Sequence, residues 1–185
     1  MAFTFDSTIS GTTANSYISV TQADDFFTAH LDQEYWTNLS TSKKQAALVQ
    51  ATNRIDQEQF GGRRTIDAQR LQWPRTFIIS RDKTPKSEEV AEFIGGAYYR
   101  PSNEIYKELI EATCEMALHL IKMNQGEFTV DEFDLQTLSK YKVGPLDVSI
   151  KDGYRVDVLP FKVANLLQSI GPNAWNGGVP LRYER

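Results

Sequence analysis

Between Ser102 and Gly126 the chain carries no proline or glycine, and small or apolar side chains return every three or four residues: Ile105, Leu109, Ala112, Thr113, Met116, Ala117 and Leu120. That period describes a helix with one buried face, and such a face needs partners to cover it. Other stretches supply them. Thr21, with Asp24 three residues on, reads as a capping box opening a helix whose apolar face is Ala23, Phe26, Phe27, His30 and Leu31. A second helix opens near Ser42 with Gln45 as reciprocal cap, carries the stripe Ala47, Leu48, Ala51, Thr52 and Ile55, and stops at Gly61-Gly62. Pro160 opens a short helix with Phe161, Val163, Ala164, Leu166, Leu167 and Ile170, closed by Gly171-Pro172. The expected fold is mainly α, a small helical bundle.

The remaining segments differ in kind. Leu146, Val148 and Ile150 alternate with polar residues, and Tyr154, Val156 and Val158 do so again after Asp152-Gly153, which predicts a C-terminal β-hairpin. Lys140 to Val143 can instead pair with residues 146–150 across Gly144-Pro145, and the register stays open. Residues 1–19 are polar, turn-rich and expected to be irregular. Residues 61–101, punctuated by Pro74, Pro85, Gly95-Gly96 and Pro101, form a long excursion with a short helix expected at Ser87 to Phe93. Excursions of that length in compact domains are usually functional or disordered. With 185 residues the chain is expected to form one domain over residues 1–170, followed by an extended docking tail over 171–185.

Composition narrows the function. The single cysteine, Cys114, precludes a disulfide within the chain and suits a reducing compartment. No apolar run exceeds the four residues from Ala46 to Val49, so no membrane-spanning helix is expected. The first basic side chain is Lys43 and no apolar stretch precedes it, so no secretory signal is expected. The net charge of −4 conceals blocks: residues 61–86 hold seven bases against two acids, while residues 87–134 hold eleven acids against three bases.

Catalysis finds no support. His30 and His119 share no metal-ligand spacing. Cys114 and His119 lie five apart on one helix and so point in different directions. Glu115 and His119 alone are too few for a metal, and the phosphate-binding and nucleophile-elbow motifs are missing. The expectation is a non-enzyme with no cofactor and no metal. Arg63, Arg64, Arg70, Arg75 and Arg81, interleaved with Trp73 and Phe77, are the residue types that single-strand binders use, cations for phosphate and rings for bases. The calculated isoelectric point near 5.3 and the confinement of those bases to one loop weigh against it.

Several stretches carry a resemblance. They are Ala14-Asn15-Ser16-Tyr17-Ile18-Ser19, Ala23 to Phe27, Lys44 to Thr52, Phe60-Gly61-Gly62-Arg63, Gln69-Arg70-Leu71-Gln72-Trp73-Pro74-Arg75, Lys142 to Leu146 and Pro160 to Leu167. In this order, over about residues 14–170, they resemble a tailed-phage family labelled DnaT-like single-stranded-DNA-binding protein, whose members look like head–tail connectors. That likeness implies a structural virion protein of the neck, made in the host cytoplasm. It would be a head-completion adaptor assembled as a ring, about twelve-fold, between the portal protein and a tail or stopper protein, with double-stranded DNA passing through the lumen. It supplies no catalytic residues. On that reading Trp175, Val179, Leu181, Arg182, Tyr183 and Arg185 dock on the portal or a neighbour. Glu104, Glu108, Glu111 and Glu115 form an acidic face, and Arg63, Arg64, Arg70, Trp73 and Arg75 make subunit or DNA contacts. The alternative is a replication or primosome-type protein that binds single-stranded DNA through those last five residues.

Overall fold

Ser19 starts the first helix, two residues before Thr21. Its hydroxyl accepts from Gln22 N and its own N–H donates to Gln22 Oε1, so the capping box is Ser19/Gln22 and α1 spans Val20–Thr28. Asp24 is thereby released from capping and instead accepts from Trp36 Nε1 at 2.6 Å and Lys44 Nζ at 2.7 Å. Ser19→Ala should cost about 1 kcal/mol, read as a lower urea midpoint with an unchanged denaturant slope.

The computed structural model describes residues 4–81, 93–94, 97–125, 140–143, 146–149 and 159–175. After α1 come α2 (Gln33–Thr37), α3 (Thr41–Asp56), β1 (Arg63–Arg64), β2 (Arg75–Thr76), β3 (Phe93–Ile94), β4 (Ala97–Tyr98), α4 (Lys107–Asn124), β5 (Lys140–Val143), β6 (Leu146–Ser149) and α5 (Phe161–Ser169). The described residues are mainly helical, as expected. The strands pair as three two-stranded antiparallel ribbons, β1–β2, β3–β4 and β5–β6. Lys140 to Val143 pair with Leu146 to Ser149, Val143 opposite Leu146; the alternative hairpin around Asp152-Gly153 lies outside the described residues. Phe93 belongs to a strand, and the rest of the helix expected from Ser87 also lies outside them.

α4 is the centre of the bundle, with α3 and α5 packed along it and α1 and α2 closing against it. Every residue from Ala112 to Leu118 is buried, so at 100° per residue the helix is covered on all sides. It also begins later than expected. Tyr106 is its N-cap, and the Tyr106 hydroxyl donates to Pro101 O at 2.6 Å while Thr65 Oγ1 donates to Ser102 O at 2.6 Å. Ser102 is thus tied to the loop through Thr65, and Pro101 to Tyr106, ahead of the helix. α3 keeps its whole expected stripe, Ala47, Leu48, Ala51, Thr52 and Ile55, in the core, although it opens at Thr41 after Ser40 without a side-chain cap. α2 has no counterpart in the expected elements; its Trp36 is fully buried and stacks on Phe27 at 4.7 Å. Leu31 is not part of the α1 core face, because the chain has left the helix and exposes it completely.

Candidate nucleic-acid interface

From Gln69 to Arg75 every second residue faces inward, with Pro74 buried as well. Gln69, Leu71, Trp73 and Arg75 are buried, while Arg70 is exposed and Gln72 half-buried. Each inward residue has a holding task. Gln69 Nε2 donates to Leu71 O at 2.9 Å and Pro74 O at 3.1 Å, and its Oε1 accepts from Ile66 N at 3.0 Å. Trp73 meets Phe60 and Tyr106 edge-on at 5.3 Å and 5.5 Å. Its indole N–H has no hydrogen-bond partner among the described residues. Arg75 donates through Nε to Gly61 O, and through its Nη atoms to Gln72 O at 3.2 Å, Gln72 Oε1 at 2.9 Å, Phe60 O at 3.2 Å and Gly62 O at 3.1 Å. A guanidinium spending its donors on backbone carbonyls is a clamp on the Phe60-Gly61-Gly62 turn.

That turn admits only glycine where it does. Gly62 has φ +67°, and a Cβ there would sit 2.1 Å from Thr76 O; one on Gly61 would sit 1.9 Å from Asn173 O. The three segments around residues 61, 77 and 173 are therefore in backbone contact. Trp175 completes the contact: its Nε1 donates to Glu58 Oε2 at 3.1 Å, and it forms an antiparallel bridge with Phe60. This side chain docks on its own chain, and residues 171–175 are part of the packed fold. Val179, Leu181, Arg182, Tyr183 and Arg185 lie outside the described residues.

Beneath the loop, Asp56 Oδ1 accepts from the Tyr17 hydroxyl and from Gln72 N at 2.8 Å. Burial raises the Asp56 carboxyl above the usual range, against those hydrogen bonds and the charges of Arg64 and Arg75. Burial, with the Asp56 charge behind it, also pushes the Tyr17 phenol well up. A carboxyl whose pKa is higher folded than unfolded makes its ionisation unfavourable to folding. The cost is absent below the unfolded value of about 3.9 and grows as pH rises through the folded one. Asp56→Asn, which keeps an acceptor for both donors, should therefore raise Tm at pH 7 relative to wild type. The gap should close towards pH 4; a lower Tm at pH 7 would show that the ionised form is the favoured one.

Of the expected acidic face, Glu115 is buried and Glu108 and Glu111 are half-buried in ion pairs. Glu104 precedes α4 and is exposed. Glu108 takes a two-pronged bond from Arg100, Nη1 at 2.9 Å and Nη2 at 3.0 Å, and Glu111 pairs with Lys107 at 3.5 Å. Glu115 is buried between His30 Nε2 at 3.2 Å and Lys162 Nζ at 2.6 Å, tying α4 to the end of α1 and to α5. Because His30 Nδ1 accepts from Asp32 N at 3.1 Å, the proton lies on Nε2, facing the carboxylate. Cys114 is buried, and burial raises its thiol pKa far from the thiolate that reactivity needs.

Outward-facing groups remain. Arg63 and Arg64 are both exposed on β1, paired in register with Thr76 and Arg75, and Arg64 Nη1 donates to Gln69 O at 3.3 Å. Exposed Arg70 donates to Thr13 O at 3.3 Å. Phe77, next after Thr76, is 47% exposed, with Tyr99 edge-on at 5.8 Å. Of the five residues expected to touch a partner, the fold turns Arg63, Arg64 and Arg70 outward and commits Trp73 and Arg75 to its interior.

Compared with known families, the chain matches over residues 1–185 the model described as "Putative DnaT-like ssDNA binding protein". The chain belongs to this family. No curated protein and no solved structure matches it. The match corrects the expectation of a structural virion adaptor between portal and tail, because the family's description names single-stranded-DNA binding and nothing in it gives a connector role. The stretches that carried the resemblance are elements of the fold: Ala14 to Ile18 are buried, as are Gln69, Leu71, Trp73 and Arg75. They mark the family without marking a connector. Sequence reasoning also missed Asn173 as a partner of the loop, for which the sequence gives no signal.

Proposed function

We propose that this DnaT-like chain binds single-stranded DNA, using Arg63, Arg64 and Arg70 for the phosphates. The observation that supports this best is the sorting of the arginine loop. Its inward residues are spent on holding the backbone, and its outward ones include the cations Arg63, Arg64 and Arg70 and the exposed ring of Phe77. Between Gly61 and Arg81 five arginines face one acid, Asp67, so the loop is locally cationic although the chain is acidic. Phosphates are drawn by local field and not by net charge. The family's description agrees with this reading.

The test is fluorescence anisotropy of a short dye-labelled oligothymidylate across a salt series. Affinity should fall as salt rises, with a log–log slope of about −0.7 per phosphate neutralised. The double variant R63E/R64E should bind more weakly with a slope shallower by more than about 1, while its Tm stays near wild type. Wild-type protein with no salt-sensitive binding would overturn the proposal.

A further inference from the structure

Gln69, Leu71, Trp73 and Arg75 are buried at a spacing of two, and that spacing fails at Phe77. Continued in phase, it would bury Phe77 and expose Ile78. Instead Ile78 is fully buried and Phe77 stands out at 47% exposure. The break has a backbone cause: Phe77 has φ 62°, the left-handed region, which is an outlier for a bulky non-glycine residue. Two hydrogen bonds from one side chain hold it there. Asn173 Nδ2 donates to Phe77 O at 2.8 Å and Asn173 Oδ1 accepts from Ile79 N at 2.8 Å, so a single amide grips the chain on both sides of the strained residue. Beyond it, Ser80 N donates to Tyr98 O and Arg100 N to Ile78 O, both at 2.8 Å, fixing the segment against residues 98–100.

Glycine would adopt this conformation without strain, and a polar side chain would suit the exposure. Phenylalanine is favoured by neither. A strained residue held by its surroundings is a cost that function can explain. Here the residue held is an apolar ring, presented to solvent one position along from the Arg63–Thr76 pair. We infer that Phe77 is a fixed stacking platform for an unpaired base, with Tyr99 set edge-on against it and the phosphates on either side of that base meeting Arg63 and Arg64. The inference rests on the single-strand reading proposed above and adds the residue that takes the base.

The experiment compares wild type, F77G, F77L and F77W in binding the dye-labelled oligothymidylate at one salt concentration, with thermal unfolding of each. F77G removes both the ring and the strain. It should melt at or above the wild-type temperature yet bind about tenfold or more weakly. F77L keeps apolar bulk at the site without a π face and should show the same loss, so the test survives if F77G folds poorly. F77W should restore binding. Wild type that binds together with F77G or F77L that bind equally well would overturn the stacking platform and leave the single-strand reading standing. Wild type that fails to bind would overturn both.

Discussion

Replacing Trp73 by alanine is expected to destabilise the fold by about 3–5 kcal/mol, a large share of the roughly 5–15 kcal/mol that a domain has. The indole is 1% exposed and lies between Phe60, which leads into the Gly61-Gly62 turn, and Tyr106, which caps α4. Truncation would open a cavity at the junction of loop and bundle, so both should loosen together. Trp73→Phe should cost much less. It keeps a ring between the same neighbours and deletes an indole N–H that has no partner among the described residues. Urea denaturation of the two variants checks this, and a loss below about 1 kcal/mol for W73A would mean that the ring is not part of the core. For the single-strand reading the consequence is direct. Trp73 is the residue type expected to stack on a base, and here it cannot reach one without leaving the interior.

Much of the bundle could be read in advance because its signals are local. The α3 stripe is strictly periodic, and every expected position is buried. Signals that depend on distant partners were not legible. Ser102, Asn103 and Glu104 look like a helix start, but Thr65 and Tyr106 draw residues 101–102 into other bonds and α4 begins at Lys107. The spacing of Glu108, Glu111 and Glu115 correctly places them on a helix. It cannot show that α5 brings Lys162 and the end of α1 brings His30 onto Glu115, which buries that one carboxylate while Glu108 and Glu111 stay partly exposed. α2 is a single short turn marked only by Trp36.

At the candidate site, residue type was legible and direction was not. The arginines and aromatics singled out this loop as the candidate. Yet Gln69, Leu71, Trp73 and Arg75 stand two apart, the period of an extended chain with one face buried. That pattern, applied to the arginines, separates Arg75 from Arg70. Phe77 escapes even this rule, since no glycine or asparagine marks the left-handed turn that reverses it.

Arg75→Ala is the second large effect expected, a loss of about 3 kcal/mol and a Tm lower by about 10 °C. Arg75 is 8% exposed, and its guanidinium is bonded to four backbone carbonyls, those of Phe60, Gly61, Gly62 and Gln72. Removing it leaves those acceptors short of donors inside the loop. Burial lowers its pKa, but it remains charged at any working pH. Arg75→Lys should lose nearly as much, because a lysine ammonium carries the charge without the planar fork that reaches several carbonyls at once. Arg63→Ala and Arg64→Ala, exposed on β1, should each stay within about 0.5 kcal/mol of wild type. Oligothymidylate affinity should show a different ordering. At a temperature where every variant is folded, R63A and R64A should weaken binding through lost phosphate contacts, whereas R75K should bind nearly as well as wild type. The opposite pattern, an R75A protein of unchanged Tm that no longer binds, would make Arg75 a contact to the nucleic acid and not the clamp that shapes the loop.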